Sequence, residues 1–363
     1  MNETMQAAVL TAPGTMTTTT VPRREPGSGE VRVRLEGCGV CASNVEPWEG
    51  QPGSTFPGQP GGMGHEGWGV IDALGDGVTG TAIGDRVAFL GGHGFAQYDL
   101  VTADQLVVLP PSLAGRAIPG EPLGCAFNIF RRSAIEAGQW VAIVGIGFLG
   151  AVLTRLATDA GAKVIAISRR QESLDLATRF GAVEAIPMHD HQGIIDRVMA
   201  LTGGRGAERV IEAVGKQWPL DLAGELVADG GRLVIAGYHQ DGPRQVSMQM
   251  WNWKGIDVVN AHERATAVQM QGLREAVAAA ATGRIDLDAL VTHHYPLDRL
   301  DDALAATRDK PQGFVKAWIS LSPSGEREEP RSGGGRGAVR PTDSPSPDLA
   351  SGSATLSPEG ERE

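Results

Sequence analysis

The chain has 363 residues with 32 basic and 43 acidic side chains, a formal net charge of -11 that argues against nucleic acid as its main partner. Glycine supplies 50 residues, about twice the usual share, which favours turns and ligand loops over a helical bundle. Three cysteines exclude a disulfide-dense scaffold and a four-cysteine zinc module, and no run of about 18 apolar residues offers a membrane span. The opening MNETMQAAVLTAPG lacks the basic start and apolar core of a signal peptide, so a cytoplasmic protein is expected.

Residues 5–110 read as short strands separated by Gly/Pro turns. Val31, Val33 and Leu35 alternate with Arg32, Arg34 and Glu36, the period of a half-buried strand. Further strand-like runs cover 67–74, 85–90 and 105–109, parted by turns such as LGDGV and IGDRV. A small barrel or sandwich is expected here. The rhythm changes over 136–260, with an apolar strand at 140–144, a glycine loop, a helix at 149–160, a strand at 163–167 and a helix at 171–180. Strand-like runs at 209–213 and 231–236 continue the alternation, which predicts an α/β fold with a doubly wound parallel sheet. Residues 263–320 predict a helix at 265–282, a strand at 293–296, a helix at 298–307 and a last strand at 314–319. From Pro323 the chain is low in complexity, and LSPSGERE at 321–328 returns as LSPEGERE at 356–363. A disordered tail is expected over 321–363.

Residues 145–150, Gly-Ile-Gly-Phe-Leu-Gly, form a G-x-G-x-x-G run between strand and helix, the setting in which this pattern carries meaning. Gly145 suits a tight turn, Gly147 the approach of a pyrophosphate, and Gly150 close helix–strand packing. With Phe148 and Leu149 they open a helix whose N-terminus attracts phosphate. The next strand ends in Ser168-Arg169-Arg170, without the carboxylate that would bind a ribose 2′-hydroxyl. A hydroxyl and two guanidinium groups suit a 2′-phosphate, so NADP(H) is favoured. An arginine stacked on adenine would also suit NAD(H), and both arginines also read as solvated helix-start residues.

Cys38 and Cys41 form a C-x-x-C pair, read as redox or zinc, and no second pair follows. A mixed metal set of one thiolate, one imidazole and one or two carboxylates is available in Cys41, His65, Glu66 and Glu121. Cys38 reads as a small buried hydrophobe. Trp48, Trp68, Phe95 and Tyr98 read either as cleft lining or as core.

The motifs GCGVCASN, GHEGWGVIDALG, IGDRV, EPLGC, VAIVGIGFLG, VIEAVG and GFVKAWI follow one another over about 5–320. Together they resemble the zinc-containing medium-chain dehydrogenases/reductases, nearest the sorbitol and threonine dehydrogenase-like branch. The resemblance implies a GroES-like catalytic domain over 1–126 with 263–320, and a Rossmann domain over 127–262. It implies Cys41 and His65 as zinc ligands, Glu66 as an adjacent carboxylate and Glu121 as the third ligand position. Cys125, one helical turn later, then packs near the nicotinamide in place of binding zinc. Ser43 matches the residue that accepts the alcohol proton. Glu46 stands where a relay histidine is often found, and it either shuttles a proton or is simply exposed. Lys316 matches a basic position near the cofactor phosphates, or is a surface cation on the last strand. Asn44 replaces the carboxylate that usually orients the ligand histidine, a change expected to weaken zinc. The cysteine-rich lobe of a structural zinc is missing, so one Zn2+ per chain is expected. The implied activity is hydride transfer between NAD(P)(H) and a secondary alcohol or polyol, or its ketone, in a homodimer or homotetramer. The rival readings are a zinc-independent quinone or enoyl reductase of the same superfamily and a catalytically vestigial NADP(H)-binding protein.

Overall fold

The computed structural model describes residues 3–51 and 53–321, so the tail expected over 321–363 lies, apart from Leu321, outside the described residues. Strands β1 (Thr4–Ala12) and β2 (Thr15–Pro22) form an antiparallel hairpin. Strand β3 (Glu30–Val40) runs into a 3-10 turn, Ala42–Asn44, and a short helix α1 (Val45–Glu49). Strands β4 (Glu66–Leu74), β5 (Arg86–Phe89), β6 (Tyr98–Thr102) and β7 (Leu106–Val108) follow. Val31, Val33 and Leu35 are fully buried, as the alternation predicts. Arg32, placed by the same alternation on the solvent side, is buried too, because Asp72 at 2.9 Å and Glu25 at 2.7 Å accept from its guanidinium. A buried cation persists when it is paired in this way.

Helix α2 (Gly120–Ser133) leads into the parallel half. There β8 (Trp140–Val144), α3 (Phe148–Asp159), β9 (Lys163–Ser168), α4 (Gln171–Arg179), β10 (Glu184–Pro187) and α5 (His191–Leu201) alternate. The pattern continues through β11 (Ala207–Glu212), α6 (Gln217–Leu226), β12 (Val227–Ile235), α7 (Met248–Lys254) and β13 (Asp257–Asn260). The six strands are parallel in the order β10-β9-β8-β11-β12-β13. The order reverses between β8 and β11, and ligands of such sheets bind beyond the carboxyl ends of the strands at that point.

Helices α8 (Thr266–Ala281), α9 (Leu287–Leu290) and α10 (Leu300–Asp309) and strands β14 (His293–Pro296) and β15 (Ala317–Ser320) complete the described chain. The last two strands return to the first half: a seven-stranded sheet runs β14-β15-β3-β4-β5-β7, with β6 also paired to β3. One apolar core joins the halves, from Trp68 and Ala88 through Leu123 and Leu273 to Ile143 and Leu153. Among the described residues no helix is long and apolar enough to cross a membrane.

Candidate active site

The end of β3 and the start of β4 are neighbours, with Gly39 opposite Glu66. This register brings Cys41, just after β3, beside His65 and Glu66, and one ligand atom from each of the three lies within 4.8 Å of the others. His65 Nδ1 is 2.8 Å from the carbonyl oxygen of Met63. A carbonyl only accepts, so Nδ1 carries the hydrogen and Nε2 is left as the donor atom toward a metal. Asn44 does not orient His65 directly. Its Nδ2 donates to the same Met63 oxygen at 2.9 Å, and its Oδ1 accepts from the Cys41 backbone at 3.2 Å. Met63 holds a left-handed φ of 72°, a conformation uncommon for a residue with a side chain, at the place where both groups need its carbonyl.

Burial opposes the charged form of His65, yet Cys41 and then the charges of Glu66 and Glu121 raise its pKa to about 10. Glu121, in the first turn of α2, lies outside the tight trio. Burial raises its pKa, and the Cys125 thiol donates to its Oε1 at 3.1 Å. Burial, followed by the Glu121 charge, pushes Cys125 well above the ordinary thiol range. Cys38 is likewise pushed well up by burial and by Glu66, and its thiol donates to the Gly39 carbonyl at 3.4 Å.

Lys316, read from the sequence toward cofactor phosphates or solvent, is buried beside the cluster. Its Nζ lies 2.8 Å from Glu66 Oε1 and 2.7 Å from Oε2, and it donates to the Val40 carbonyl at 3.3 Å. The ammonium also sits 4.8 Å from the Phe148 ring centroid, so it stands between the metal cluster and the glycine loop. Around a bound metal, with His65 neutral, Cys41, Glu66 and Glu121 would supply up to three negative charges, and Lys316 offsets one. A divalent cation would neutralise the remaining two, and the thiolate, imidazole and carboxylate donors suit zinc.

At the switch point, Gly145 takes φ +101°, and a Cβ there would lie 2.4 Å from Val214 Cγ2. A Cβ on Gly150 would lie 2.0 Å from the Gly145 oxygen, so α3 can pack on the loop only with glycine there. Gly147 has nothing within 4 Å of such a Cβ, and no side chain caps the first turn of α3. Phosphate oxygens fit the resulting open cradle of N–H groups. Leu149 follows Phe148 in the first turn and packs on the core.

Ser168 is buried at the end of β9, Arg169 is exposed, and one Arg170 nitrogen donates to the Phe314 carbonyl at 2.6 Å. Lys310, which the sequence reading did not single out, joins them. Desolvation, then the charges of Arg170 and Arg169, lowers its pKa. Ser43 is half buried in the 3-10 turn beside Cys41. Glu46 meets the Lys216 ammonium at 3.3 Å. Trp48, Trp68 and Phe95 belong to the core, and Tyr98 packs under Arg23 and Arg32. Glu212, buried at the end of β11, is a further residue of this region that the reading left without a role. Its Oε1 accepts from the Val214 and Gly215 backbones, each at 2.7 Å.

Residues 27–111 match the alcohol dehydrogenase GroES-like domain, and residues 149–279 match the zinc-binding dehydrogenase family. An alcohol dehydrogenase of Geobacillus stearothermophilus is 29% identical, covering 76% of this chain and 87% of the relative. A sorbitol dehydrogenase of Halalkalibacterium halodurans is 27% identical, covering 84% and 96%. The crystal structure of a putative zinc-binding dehydrogenase from Sinorhizobium meliloti, bound to NADP, superposes with a TM-score of 0.76 at 25% identity, covering 88% of this chain and 99% of that one. With both family models met in chain order, each on the half of the molecule that has the matching sheet, the chain belongs to the zinc-type medium-chain dehydrogenases/reductases of the alcohol dehydrogenase family.

Proposed function

We propose that the protein is a zinc-dependent dehydrogenase that moves a hydride between a nicotinamide cofactor and a secondary alcohol or polyol, or the corresponding ketone. The observation that carries this reading is the convergence of Cys41, His65 and Glu66 within 4.8 Å, beside Glu121 and with a single buried lysine for charge balance. Cys41, His65 and a carboxylate from Glu66 or Glu121 would hold one zinc. Bound zinc supplies Lewis acidity toward the substrate oxygen. The Met63 carbonyl, braced by Asn44, fixes the His65 tautomer, so Nε2 would be the imidazole atom that holds the metal. Ser43, two residues from Cys41 and only half buried, would take the proton of the alcohol hydroxyl while passing its own hydroxyl proton on toward solvent. The loop Gly145–Gly147 and the first turn of α3 would hold the pyrophosphate, and Cys125, whose thiol donates to Glu121, would face the nicotinamide.

Three cations, Arg169, Arg170 and Lys310, support NADP(H) over NAD(H), because a 2′-phosphate adds charge at the end of β9. The NADP bound to the S. meliloti neighbour agrees with that preference. The sorbitol dehydrogenase relative supports polyols as the first substrates to try.

The test is zinc per chain on protein purified without a metal-affinity tag, together with turnover on polyols and ketones with both cofactors. About one zinc, lost with turnover in Cys41→Ser and His65→Ala, is expected. Turnover that survives in a zinc-free variant overturns the reading.

A further inference from the structure

Helix α1 carries Glu46 directly after the Cys41–Ser43–Asn44 turn, and Lys216 precedes α6 in the parallel half. Their ion pair at 3.3 Å crosses between the two sheets, and it is the outer end of a longer chain of charges. Lys216 Nζ also meets Asp241 Oδ2 at 2.7 Å. Asp241 is paired with Arg244. The Arg244 Nε donates to His239 Nδ1 at 2.8 Å, and His239 Nε2 is 2.9 Å from Glu212 Oε2. Arginine cannot accept a hydrogen, so Nδ1 is the lone-pair nitrogen and Nε2–H donates to the carboxylate. Glu212 is fully buried and holds the backbones of Val214 and Gly215, while Arg244 also donates to the Gly215 carbonyl at 2.8 Å. The residue before Lys216 is therefore fixed from both sides. Val214 in turn lies against Gly145 of the glycine loop.

We infer that Lys216 is a positioning residue: it latches α1, and with it the Cys41–Ser43 turn, to the dinucleotide loop through the Asp241–Arg244–His239–Glu212 chain. The inference rests on the proposed dehydrogenase reading, in which cofactor and substrate meet between these two elements. The chain grades from a fully buried anchor at Glu212 to a half-exposed Lys216. An exposed, longer pair is the one that solvent and salt break first. Opening for cofactor exchange thus separates Glu46 from Lys216 and leaves the inner links closed. Glu46, held by this cation, serves the latch and not proton transfer.

Two measurements test the latch. The first is NADPH release by stopped-flow fluorescence from the zinc-loaded protein. Lys216→Met and Glu46→Gln each speed release about twofold to fivefold, the double variant releases no faster than either, and Lys216→Arg restores the slow rate. Raising salt from about 0.05 M to about 0.5 M speeds release from the wild type by a larger factor than from either single variant, because screening of the cofactor phosphates is common to all three and only the wild type also loses the latch. The second is amide exchange over Val45–Glu49 in the cofactor-free protein, which rises at least about twofold in Lys216→Met. Additive release rates, or unchanged exchange in α1, overturn the latch. Wild-type protein that binds no nicotinamide cofactor overturns the dehydrogenase reading instead, and the exchange measurement then still decides the latch. Should Lys216→Met fold poorly, Glu46→Gln and Asp241→Asn carry the same comparison.

Discussion

Lys316 and Glu66 form a buried ion pair, 2.8 Å and 2.7 Å from Nζ to the two carboxylate oxygens, with Glu66 fully buried and Lys316 nearly so. The pair sits on the metal cluster, and its charge is part of that cluster's balance. Removing one partner of a buried pair costs about 3–5 kcal/mol, because the other charge is left uncompensated. Lys316→Met therefore lowers the melting temperature of the metal-free protein sharply. Zinc supplies positive charge beside the orphaned Glu66, so the variant gains more from added zinc than the wild type does. Melting curves with and without zinc check this, and an equal zinc-dependent gain in both proteins would contradict the charge account.

Zinc and a proton compete for His65. The imidazole needs its lone pair for the metal, and in the metal-free protein the pKa is raised from 6.5 to about 10. Across neutral pH, zinc binding must then expel that proton, and affinity rises about tenfold per pH unit for each proton released. Calorimetry in two buffers of different ionisation heat measures the release, and zinc binding with no proton set free at pH 7 would count against it. The same shift has a stability sign. A pKa raised on folding favours the metal-free fold fully below pH 6.5, and that contribution fades as pH rises toward about 10.

Two glycines separate packing from binding. A Cβ on Gly39 would lie 1.9 Å from Glu66 Oε2 and 3.0 Å from Lys316 Cε. Gly39→Ala must displace the buried pair, and a loss of both stability and zinc is expected. Gly147 takes an extended conformation at the start of α3, with nothing within 4 Å of a Cβ. Gly147→Ala therefore keeps the wild-type melting temperature and zinc content while weakening NADPH, because the added methyl occupies the phosphate cradle. Differential scanning calorimetry and fluorescence titration of the two variants separate these outcomes. A Gly147→Ala protein that binds NADPH normally would remove the phosphate from that loop.

Local pattern made much of the parallel half legible. Strand β8 falls on the predicted 140–144, and α3, β9 and α4 lie within a residue of their expected bounds, since a continuous apolar run and a helical period are properties of neighbouring residues. Local pattern predicts no helix over α2, and only the resemblance spaced Cys125 one helical turn after Glu121, since the start of the helix is interrupted by Gly120, Pro122 and Gly124. Tertiary packing overrides them. A Cβ on Gly124 would lie 2.8 Å from the Leu273 nitrogen, and one on Gly272 would lie 2.4 Å from the Gly124 oxygen, so these glycines let α2 and α8 touch. Cys41, His65 and Glu66 are legible because each sits in a short motif. Lys316 is 250 residues from Glu66, and only the pairing of β15 with β3 brings them together.

Lys310 shows the same limit, and its role gives the sharpest test of cofactor choice. It follows α10 in a left-handed conformation, four residues before Phe314, whose carbonyl accepts from Arg170. That contact holds the lysine near the end of β9, where its pKa is lowered by desolvation and by Arg170 and Arg169. Three cations held together repel one another, and an anion relieves them. A 2′-phosphate is such an anion, and the ribose hydroxyl of NAD(H) is not. Each charge-assisted bond is worth about 1.5–3 kcal/mol, so Arg169→Ala and Lys310→Ala each raise the KM for NADP(H) roughly tenfold or more. Neither change alters kcat, and the KM for NAD(H) stays within about twofold, because the lost partner belongs to the phosphate alone. Steady-state kinetics with both cofactors reads this directly. Equal losses for NADP(H) and NAD(H) would return the three cations to a purely structural role.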